Sequence, residues 1–502
     1  MDPSDFRRNG YALVDWISEY LDHSERFPVL ARVKPGEILT ALPREAPEDA
    51  ESFGAIMADF ERVLVPGLTH WNHPSFFAYF AITGSAPGAL ADFLSAALNQ
   101  QAMLWATSPA ATELEAVTLG WLRRLIGLPD AFEGVIYDTA SVSTLHALGA
   151  AREAAVPDVR TRGLARSDLP PLRVYCSEEA HSSVDKAVIT LGLGHQALSR
   201  IAVDDQFRMR PDALLDAIRS DRLCGYLPLA VVATVGTTST TSIDPVSAIA
   251  AVCQDERLWL HVDAAYGGAA AILPSHAHVL DGAARADSLV VNPHKWLFTP
   301  FDLSAFYCRR MDVLRAAFAF APEYLRTASP PSSVPSPPPA AAPSSPSAPS
   351  PTSLPVAALP PFGTRNLMDT GVQLGRRFRA LKLWFVLRMF GVRSIREHLT
   401  RHLALAQQFA SWVDADPDFE RLAPVPLSVV CFRWKPTGDT LSADQIDRAN
   451  EQLLAAVNQS GQAYLSHTRI RGRFALRMAI GHLRTEEQHV RQAWELLCRL
   501  AK

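Results

Sequence analysis

The segment VVNPHKWLFTP, residues 290–300, places Lys295 between a histidine and Trp296. The apolar residues before it predict a buried strand that runs into a turn. A lysine in apolar surroundings is costly as an ammonium ion, so its pKa falls and the neutral amine becomes a nucleophile. Lysines of this kind form Schiff bases with carbonyl compounds. The chemistry that this position favours is therefore covalent attachment of an aldehyde.

Two further apolar runs end in residues that complement such a lysine. LWLHVDAAYGG ends a strand at Asp263, and VIYDTASVSTLHALGAAR begins a helix at residues 139–141. Backbone N–H groups at a helix start can hold a phosphate. A reactive lysine, an isolated carboxylate and a phosphate cradle together suit pyridoxal phosphate. Taken alone, each motif has an ordinary structural explanation. Asp263 could be an ion-pair partner, and residues 139–141 could form a simple helix N-cap.

These segments belong to an alternation of strands and helices between about residue 82 and residue 320, which is typical of an α/β domain with a largely parallel sheet. The apolar runs include GVIYDTAS, LRVYCSE, LAVVATVGTTS, LWLHVDAAYGG and SLVVNPHKW. Ligands of such sheets gather at the carboxyl ends of the strands. The polar residues lie where the runs stop, so we expect the fold to bring them to one edge.

The two ends of the chain have other patterns. Residues 1–80 carry helical signals, and apolar residues at helical spacing predict an amphipathic helix that ends at Pro66-Gly67 and needs a partner surface. Those apolar residues are Phe53, Ile56, Met57, Phe60, Val63 and Leu64. After residue 372 the pattern predicts a helix over 375–391 and strands at 428–434 and 473–480. We interpret this part as a smaller α+β domain.

Residues 328–361 are almost entirely Pro, Ser and Ala. This composition buries too little apolar surface to offset the entropy of ordering, so we predict a disordered insert with polyproline II character. The tract contains P-x-x-P spacings, which any proline-rich stretch produces. A flexible insert is favoured over a specific SH3-type ligand.

The composition excludes several classes of protein. A formal net charge of −4, with 48 basic and 52 acidic residues, gives no basic field for nucleic acid. The N-terminal residues lack the apolar run of a secretory signal, and no stretch is long enough for a membrane span. The six cysteines are widely spaced and form no C-x-x-C pair, so neither disulfides nor a metal site is indicated. We expect a cytoplasmic protein.

Motifs along nearly the whole chain resemble one family. HVDAAYGG (261–268) followed by NPHKW (292–296) is similar to the group II pyridoxal-phosphate decarboxylases, and among them to the aromatic-L-amino-acid decarboxylase family of bacterial type. Further similar blocks, in the same order, are HPSFFAYFAITGSAPG, SPAATELE, AHSSVDKA, ATVGTTSTTSID and LGRRFRALKLWFVLRMFGV. The resemblance implies a lyase that uses pyridoxal phosphate and converts an aromatic amino acid to its amine and CO₂.

The resemblance also implies the architecture. It predicts an α/β fold of type I, with a large domain on a mainly parallel seven-stranded sheet, a small C-terminal α+β domain and an N-terminal helical segment. The boundaries that follow are 1–80 for the helical dimerisation segment, 81–372 for the cofactor domain with the insert 328–361, and 373–502 for the small domain. It predicts a homodimer whose active sites are shared between subunits.

Carried over to matching positions, the resemblance assigns catalytic roles. Lys295 forms the Schiff base, Asp263 meets the pyridine nitrogen and His181 stacks over the cofactor ring. Residues expected around the phosphate and the ring are Thr139, Ala140, Ser141, Thr238, Asn292 and His294. Tyr324 of PEYLRT matches the loop tyrosine that protonates Cα after CO₂ leaves, and relatives with phenylalanine there tend towards aldehyde synthesis. Tyr324 therefore favours a simple amine product.

The chain departs from the family pattern after Tyr324. The Pro/Ser/Ala tract enters the catalytic loop there, and the motif resumes with Thr370 where many relatives carry tyrosine. A longer flexible loop adds little closure entropy, about 0.6 kcal/mol for each doubling of its length. We expect the insert to be tolerated.

The family's side-chain pocket maps onto seven residues. They are Trp71, Tyr79, Phe80 and Ile82, with Gln101 and Met103 from the partner subunit, and Gly375. Animal dopa decarboxylases have a threonine in place of Ile82 that can bond a catechol, and in plant relatives a glycine at position 375 goes with indole substrates. We therefore predict tryptophan or phenylalanine over tyrosine and dopa. Arg477 is expected to be structural or to support the site through a neighbouring residue.

Two alternatives stay open. The same cofactor could support oxidative deamination to an aldehyde, or transamination, and product analysis distinguishes these reactions. A non-catalytic scaffold that binds a partner through the proline-rich tract is the alternative of another class. It is disfavoured because Lys295, Asp263, His181 and Tyr324 are all present.

Overall fold

The computed structural model of the protein describes residues 1–80, 82–320, 366–438 and 441–501. Tyr324 and the tract 328–361, both singled out above, lie outside these residues. Within the described ranges, no helix is long and apolar enough to cross a membrane.

The N-terminal segment is mostly helical, as predicted. Its elements are α1 (Pro3–Asp22), α2 (Glu37–Ala41), α3 (Phe53–Asp59) and β1 (Phe76–Phe77). The predicted amphipathic helix begins at Phe53, where Ser52 accepts the N–H of Ala55 as an N-cap. It changes to a π-helical turn at Phe60–Leu64 and a 3₁₀ turn at Val65–Gly67. The helical pattern did not reveal β1, because two residues are too few to show a period.

The large domain is built on a seven-stranded sheet in the order β2-β8-β7-β6-β5-β3-β4. Its strands are β2 (Glu133–Tyr137), β3 (Leu172–Ser177), β4 (Leu198–Ile201), β5 (Leu227–Thr234), β6 (Trp259–Asp263), β7 (Ser288–Val291) and β8 (Ser304–Cys308). The neighbours from β4 to β7 are parallel, and β8 runs antiparallel to β7 and β2. The predicted, mainly parallel sheet of seven strands is confirmed.

Helices cover both faces of this sheet, which is why its strands are almost continuously apolar. They are α4 (Ala86–Leu98), α5 (Pro109–Leu125), α6 (Ala140–Ala155), α7 (Val159–Arg162), α8 (Ser183–Thr190), α9 (Pro211–Leu223), α10 (Val246–Glu256), α11 (Pro293–Trp296) and α12 (Met311–Phe318). Buried side chains of α6, α8 and α12 pack on one face, and those of α5, α9 and α10 pack on the other.

The C-terminal part has a smaller sheet in the order β1-β11-β12-β10-β9. Its elements are α13 (Ala380–Ala415), β9 (Phe419–Arg421), β10 (Val429–Trp434), α14 (Ala443–Ser460), β11 (Tyr464–Ile470), β12 (Arg473–Ala479) and α15 (Glu487–Leu500). The N-terminal strand β1 lies parallel to β11 at one edge of this sheet. The first and last parts of the chain are therefore joined through backbone hydrogen bonds.

The helix predicted over 375–391 differs from α13 at both ends. It begins at Ala380 rather than residue 375, because the backbone N–H of Arg376 donates to the side chain of Gln101 instead of entering a helix. The helix continues to Ala415 with a break at Gly391, whose φ of 67° is the left-handed conformation that glycine adopts at least cost.

Candidate active site

Lys295 lies in α11, the single helical turn that follows β7. The sequence pattern placed it at a strand end, but the strand stops at Val291 and the lysine N–H donates to Asn292 O over 2.9 Å. Its Nζ lies 5.1 Å from the centre of the Phe80 ring. Burial lowers the pKa of Lys295, the carboxylate of Asp263 acts in the opposite direction, and the cation of Arg477 lowers the pKa further. These surroundings favour the neutral amine.

Asp263 is the last residue of β6, as the sequence predicted. Its carboxylate is 6% exposed, and Oδ1 accepts the N–H of Ala265 over 3.1 Å. Asp263 is opposite Val290 in the ladder between β6 and β7, so its strand end lies beside the one that leads to Lys295. An isolated carboxylate at this edge suits a protonated ring nitrogen.

The start of α6 provides a site for an anion. Thr139 is the N-cap, with an extended backbone and no hydrogen bond from its side chain, and the first turn contains no acidic residue. The N–H groups of Val142 and Ser143 both donate to Thr139 O. Among the described residues, the N–H groups of Ala140 and Ser141 have no partner. Free N–H groups at the positive end of a helix dipole favour a phosphate.

Asn292 and His294 are both fixed by hydrogen bonds to neighbouring strands. Ser304 Oγ donates to Asn292 Oδ1 over 2.7 Å and lies 2.9 Å from Ser143 Oγ, which connects β8 to the start of α6. His294 Nδ1 accepts the N–H of Leu303 over 2.8 Å. Burial, with the cations of Lys295 and Lys382, lowers the pKa of His294 to about 3, so its imidazole is neutral.

His181 and Thr238 lie on loops above the same edge. His181 precedes α8, and its Nδ1 accepts the N–H of Ser183 over 3.1 Å. Partial burial lowers the pKa of His181, although the carboxylate of Asp263 opposes the effect. The neutral ring therefore carries its proton on Nε2. Thr238 is exposed in the turn after β5, beside a buried pair formed by the hydroxyl groups of Thr237 and Thr240.

The first group of predicted substrate residues lies in the segment 71–82, of which Phe80 contacts Lys295. The Phe80 ring stacks on Tyr266 with centroids 3.9 Å apart, and Trp71 stacks on Tyr79 at 5.8 Å. The hydroxyl groups of Tyr79 and Tyr464 lie 3.2 Å apart. Ile82 is half-buried in the segment that follows Phe80. Phe80 is therefore the ring beside the amine, and Trp71 and Tyr79 form a separate stacked pair in the same segment.

The second group lies around Arg376, before α13. Gln101 Oε1 accepts the N–H of Arg376 over 2.6 Å, and a Cβ added to Gly375 would lie 3.1 Å from Gln101 Nε2. Gln101 and Gly375 line a cavity of about 440 Å³. Met103 packs with Leu104 and Met368 in a small apolar cluster. The structure thus divides the predicted substrate residues into two groups, one in the segment 71–82 and one around Arg376.

Arg477 contacts two backbone oxygens and the ring of Phe80. The side chain is 3% exposed and lies over Phe80, with Cζ 4.6 Å from the ring centre. Its Nη1 donates to Tyr79 O, and its Nε donates to Ser239 O over 3.1 Å. Nη2 has no partner among the described residues. The expected structural role accounts for the two backbone contacts, but the guanidinium also faces Phe80 and acts on the charge of Lys295.

Sequence reasoning missed Tyr266 and Ser304. Tyr266 follows Asp263 within HVDAAYGG, and its place in that motif was the available signal. Ser304 begins β8 and has no comparable signal, because its contact with Ser143 joins positions far apart in the chain.

The residues present fit pyridoxal phosphate. The amine of Lys295, the carboxylate of Asp263 and the free N–H groups at the start of α6 match the aldehyde, the ring nitrogen and the phosphate. Each group arises at the carboxyl end of a strand of one sheet, as expected for a ligand site in an α/β fold.

Comparison with known proteins defines the class. The family model described as the pyridoxal-dependent decarboxylase conserved domain matches residues 35–336 and 364–435. The chain belongs to this family. It is a carboxy-lyase that uses pyridoxal phosphate, and the fold is of type I as predicted.

Individual relatives match over the whole chain. The aromatic-L-amino-acid decarboxylase of Cavia porcellus is 38% identical, over 100% of this chain and 98% of its own length. The phenylacetaldehyde synthase of Arabidopsis thaliana is 37% identical, over 99% and 96%. The crystal structure of Oryza sativa TDC with PLP and tryptamine is 36% identical with a TM-score of 0.90, over 100% and 98%.

Proposed function

We propose that the enzyme decarboxylates an aromatic L-amino acid, tryptophan or phenylalanine in preference to tyrosine or dopa, and releases the amine and CO₂. The observation that carries the proposal is the position of Lys295 Nζ 5.1 Å from the centre of the Phe80 ring, which itself stacks on Tyr266. Aromatic side chains bind well in such apolar slots. The decarboxylases among the relatives support the reaction.

Pyridoxal phosphate, when bound, acts as the electron sink for the bond between Cα and the carboxylate. Lys295 would hold the cofactor through Nζ, and its lowered pKa favours the neutral, nucleophilic amine. Asp263 would keep a proton on the ring nitrogen. The start of α6 would bind the phosphate, with Asn292 and His294 beside it, and His181 and Thr238 would lie near the ring.

The ring of Phe80 shields the reacting groups from water. Phe80 is 9% exposed, and Lys295 Nζ and the guanidinium of Arg477 both lie near the centre of its ring. Removing water strengthens the fixed charges that act on the reacting groups. Tyr324 supplies the proton to Cα in this proposal, by its match to the family's loop tyrosine.

A panel of substrates tests the reaction. Purified protein loaded with pyridoxal phosphate is incubated separately with tryptophan, phenylalanine, tyrosine, dopa and glutamate, and amine, CO₂, aldehyde, ammonia and peroxide are quantified. We expect stoichiometric amine and CO₂ from an aromatic substrate. Aldehyde with ammonia and peroxide would assign the enzyme to the oxidative reaction, as in the name of the Arabidopsis relative. No turnover by protein with attached cofactor would point to the catalytic loop that the Pro/Ser/Ala tract interrupts, and a cofactor band that is lost in Lys295→Ala would exclude the scaffold alternative.

Ile82 provides a sharper test of specificity. Replacing Ile82 with Thr adds a hydroxyl beside Phe80, and one hydrogen bond contributes about 1 kcal/mol, or about fivefold in selectivity. The ratio of kcat/KM for dopa to that for tryptophan should rise by this factor. Ile82→Val has the same branching without the hydroxyl and should leave the ratio unchanged. A wild-type enzyme that prefers dopa would contradict the assignment.

We also propose a homodimer. Four apolar side chains of α4, namely Leu90, Phe93, Leu94 and Leu98, are between 43% and 49% exposed. α1 has no buried residue, and Ile56 of the predicted amphipathic helix is 52% exposed. Such a face favours a symmetric partner of the same chain. The second group of substrate residues, Gln101, Met103 and Gly375, would complete the neighbouring subunit's site.

Sedimentation tests the dimer. The wild-type protein should sediment as a dimer, and Leu94→Glu should produce inactive monomer. Leu223→Glu is the matched control, because Leu223 is 91% exposed on α9 and lies on a different element. An active wild-type monomer would contradict the proposal.

A cytoplasmic location is proposed as well. Five cysteines are free thiols, which fits a reducing compartment. They are Cys176, Cys224, Cys253, Cys308 and Cys431. Cell fractionation followed by assay of the decarboxylase would test the location, and activity confined to a secreted fraction would refute it.

A further inference from the structure

A continuous stack of rings leads away from the amine of Lys295. Phe80 stacks on Tyr266 with centroids 3.9 Å apart, and Tyr266 stacks on Trp296 at 4.8 Å and 8°. The indole of Trp296 then faces His402 of α13 at 6.4 Å and 20°. Trp296 is the residue that follows Lys295. The stack therefore connects the turn that carries the amine to the long helix of the C-terminal part.

The last contact of the stack is also a hydrogen bond. Trp296 Nε1 donates to His402 Nδ1 over 3.0 Å, and both side chains are fully buried. His402 Nε2 lies 3.0 Å from the backbone oxygen of His482. Because Nδ1 accepts from the indole, the proton is on Nε2, which donates to that carbonyl. Burial and the cation of Arg401 lower the pKa of His402 to about 3, so the neutral form persists at working pH.

The turn that carries Lys295 cannot hold its own shape. α11 has only four residues, Pro293–Trp296, and an isolated turn of that length is unstable because nucleation costs more than one hydrogen bond returns. Its position must come from contacts with neighbouring elements. The indole of Trp296 is the largest fully buried side chain in the turn, and its single polar atom is bonded to His402.

We propose that His402 is a positioning residue for Lys295. By accepting the indole N–H and donating to His482 O, it fixes the rotation of Trp296 and thereby the direction of the neighbouring amine. The inference rests on the proposed role of Lys295. Misplacement of a reacting group by about 1 Å can cost up to a hundredfold in rate, so a remote hydrogen bond can affect turnover.

Three variants separate the two hydrogen bonds of His402. In His402→Asn the amide oxygen replaces Nδ1, so the bond from Trp296 is kept and the bond to His482 is lost. In His402→Gln the amide nitrogen replaces Nε2, so the bond to His482 is kept and the bond from Trp296 is lost. Trp296→Phe keeps an aromatic ring but removes the indole donor together with part of the ring system. The melting temperature of each holoenzyme confirms that it is folded.

The readouts are kcat, KM, the absorbance maximum of the bound cofactor and the rate at which the cofactor dissociates. We expect Trp296→Phe and His402→Gln to lower kcat about tenfold. In both, KM should stay within twofold, and the absorbance maximum and dissociation rate should change together. His402→Asn keeps the bond from Trp296, so its kcat should stay within threefold of the wild-type value.

Equal losses in His402→Asn and His402→Gln would overturn the inference, because they would indicate packing alone. An unchanged kcat in Trp296→Phe, or an effect on KM alone, would overturn it as well, and this variant suffices if His402→Gln does not fold. Failure of the wild type to attach the cofactor at Lys295 would instead overturn the proposed function.

Discussion

Two lysines in different regions have pKa values that burial lowers, and their partners differ. Lys382 of α13 is 2% exposed, and its Nζ lies 3.1 Å from Asp92 Oδ2 on α4. Lys295 lies against the ring of Phe80, and its Nζ has no hydrogen bond among the described residues. Burial lowers the pKa of both lysines, but a directly bonded carboxylate opposes the effect at Lys382.

The difference separates a structural lysine from a reactive one. A buried cation with a bonded carboxylate connects two helices, and its amine is held by that bond. An amine that lies beside an aromatic ring and near a second cation, with no carboxylate bonded to it, is stabilised in its neutral form relative to its charged form. The positions of the two lysines in the fold agree with these two roles. Lys295 follows the carboxyl end of a strand of the sheet, whereas Lys382 connects two helices.

Substitutions of the two lysines should differ most in their effect on turnover. Lys295→Ala should abolish the absorbance band of the attached cofactor and lower turnover more than about a thousandfold, because the attaching nitrogen is gone. Lys382→Met should leave turnover per folded molecule within threefold. Spectra and amine release measure both. If Lys295→Ala kept the absorbance band, Lys295 would not be the reactive lysine. If Lys382→Met lost activity with no loss of stability, the role of Lys382 would not be purely structural.

Charges around Lys295 provide the next test. Arg477→Gln removes a cation that lowers the pKa of Lys295, so that pKa should rise and loading of apoprotein with cofactor at pH 7 should slow. Asp263→Asn removes the opposing anion, so the pKa should fall. The pH midpoint of the loading rate should therefore move up in the first variant and down in the second.

Arg477→Lys retains the charge and is the matched control for the loading measurement. Its midpoint should stay near that of the wild type. Midpoints that move in the same direction in Arg477→Gln and Asp263→Asn would show that neither charge acts on Lys295 as described.

The smallest effect concerns stability. Asp92→Asn leaves the cation of Lys382 buried without its anion and should cost about 2 kcal/mol of unfolding free energy, below the range for fully buried pairs because Asp92 is 29% exposed. Lys295→Met removes a buried amine with no carboxylate bonded to it and should leave the apoprotein equally stable or more stable. Urea unfolding of the apoproteins checks both, and a large loss in Lys295→Met would make Lys295 a structural residue.

Much of the site could be predicted because it depends on strand ends. Asp263 ends β6 and residues 139–141 begin α6 as the apolar pattern indicated. The pattern also indicated the sheet, because strands buried on both faces are continuously apolar. The one-turn helix of Lys295 was not predictable in this way, since four residues show no period.

Contacts between distant parts of the chain could not be predicted from the sequence pattern. Arg477 reaches Phe80 from β12, almost 400 positions away, and no local pattern reports such a contact. The pairing of β1 with β11 is of the same kind. The family resemblance named Phe80 and the other pocket residues, but it did not show that they divide into two groups within one chain.

The most direct test of the central claim is to locate the attached cofactor. Wild-type holoenzyme is reduced with borohydride and digested, and the peptides are analysed by mass spectrometry. We expect a single modified lysine per chain, Lys295, with Lys382 and the exposed Lys186 unmodified. A label on Lys382 or Lys186, or one spread over several lysines, would contradict it.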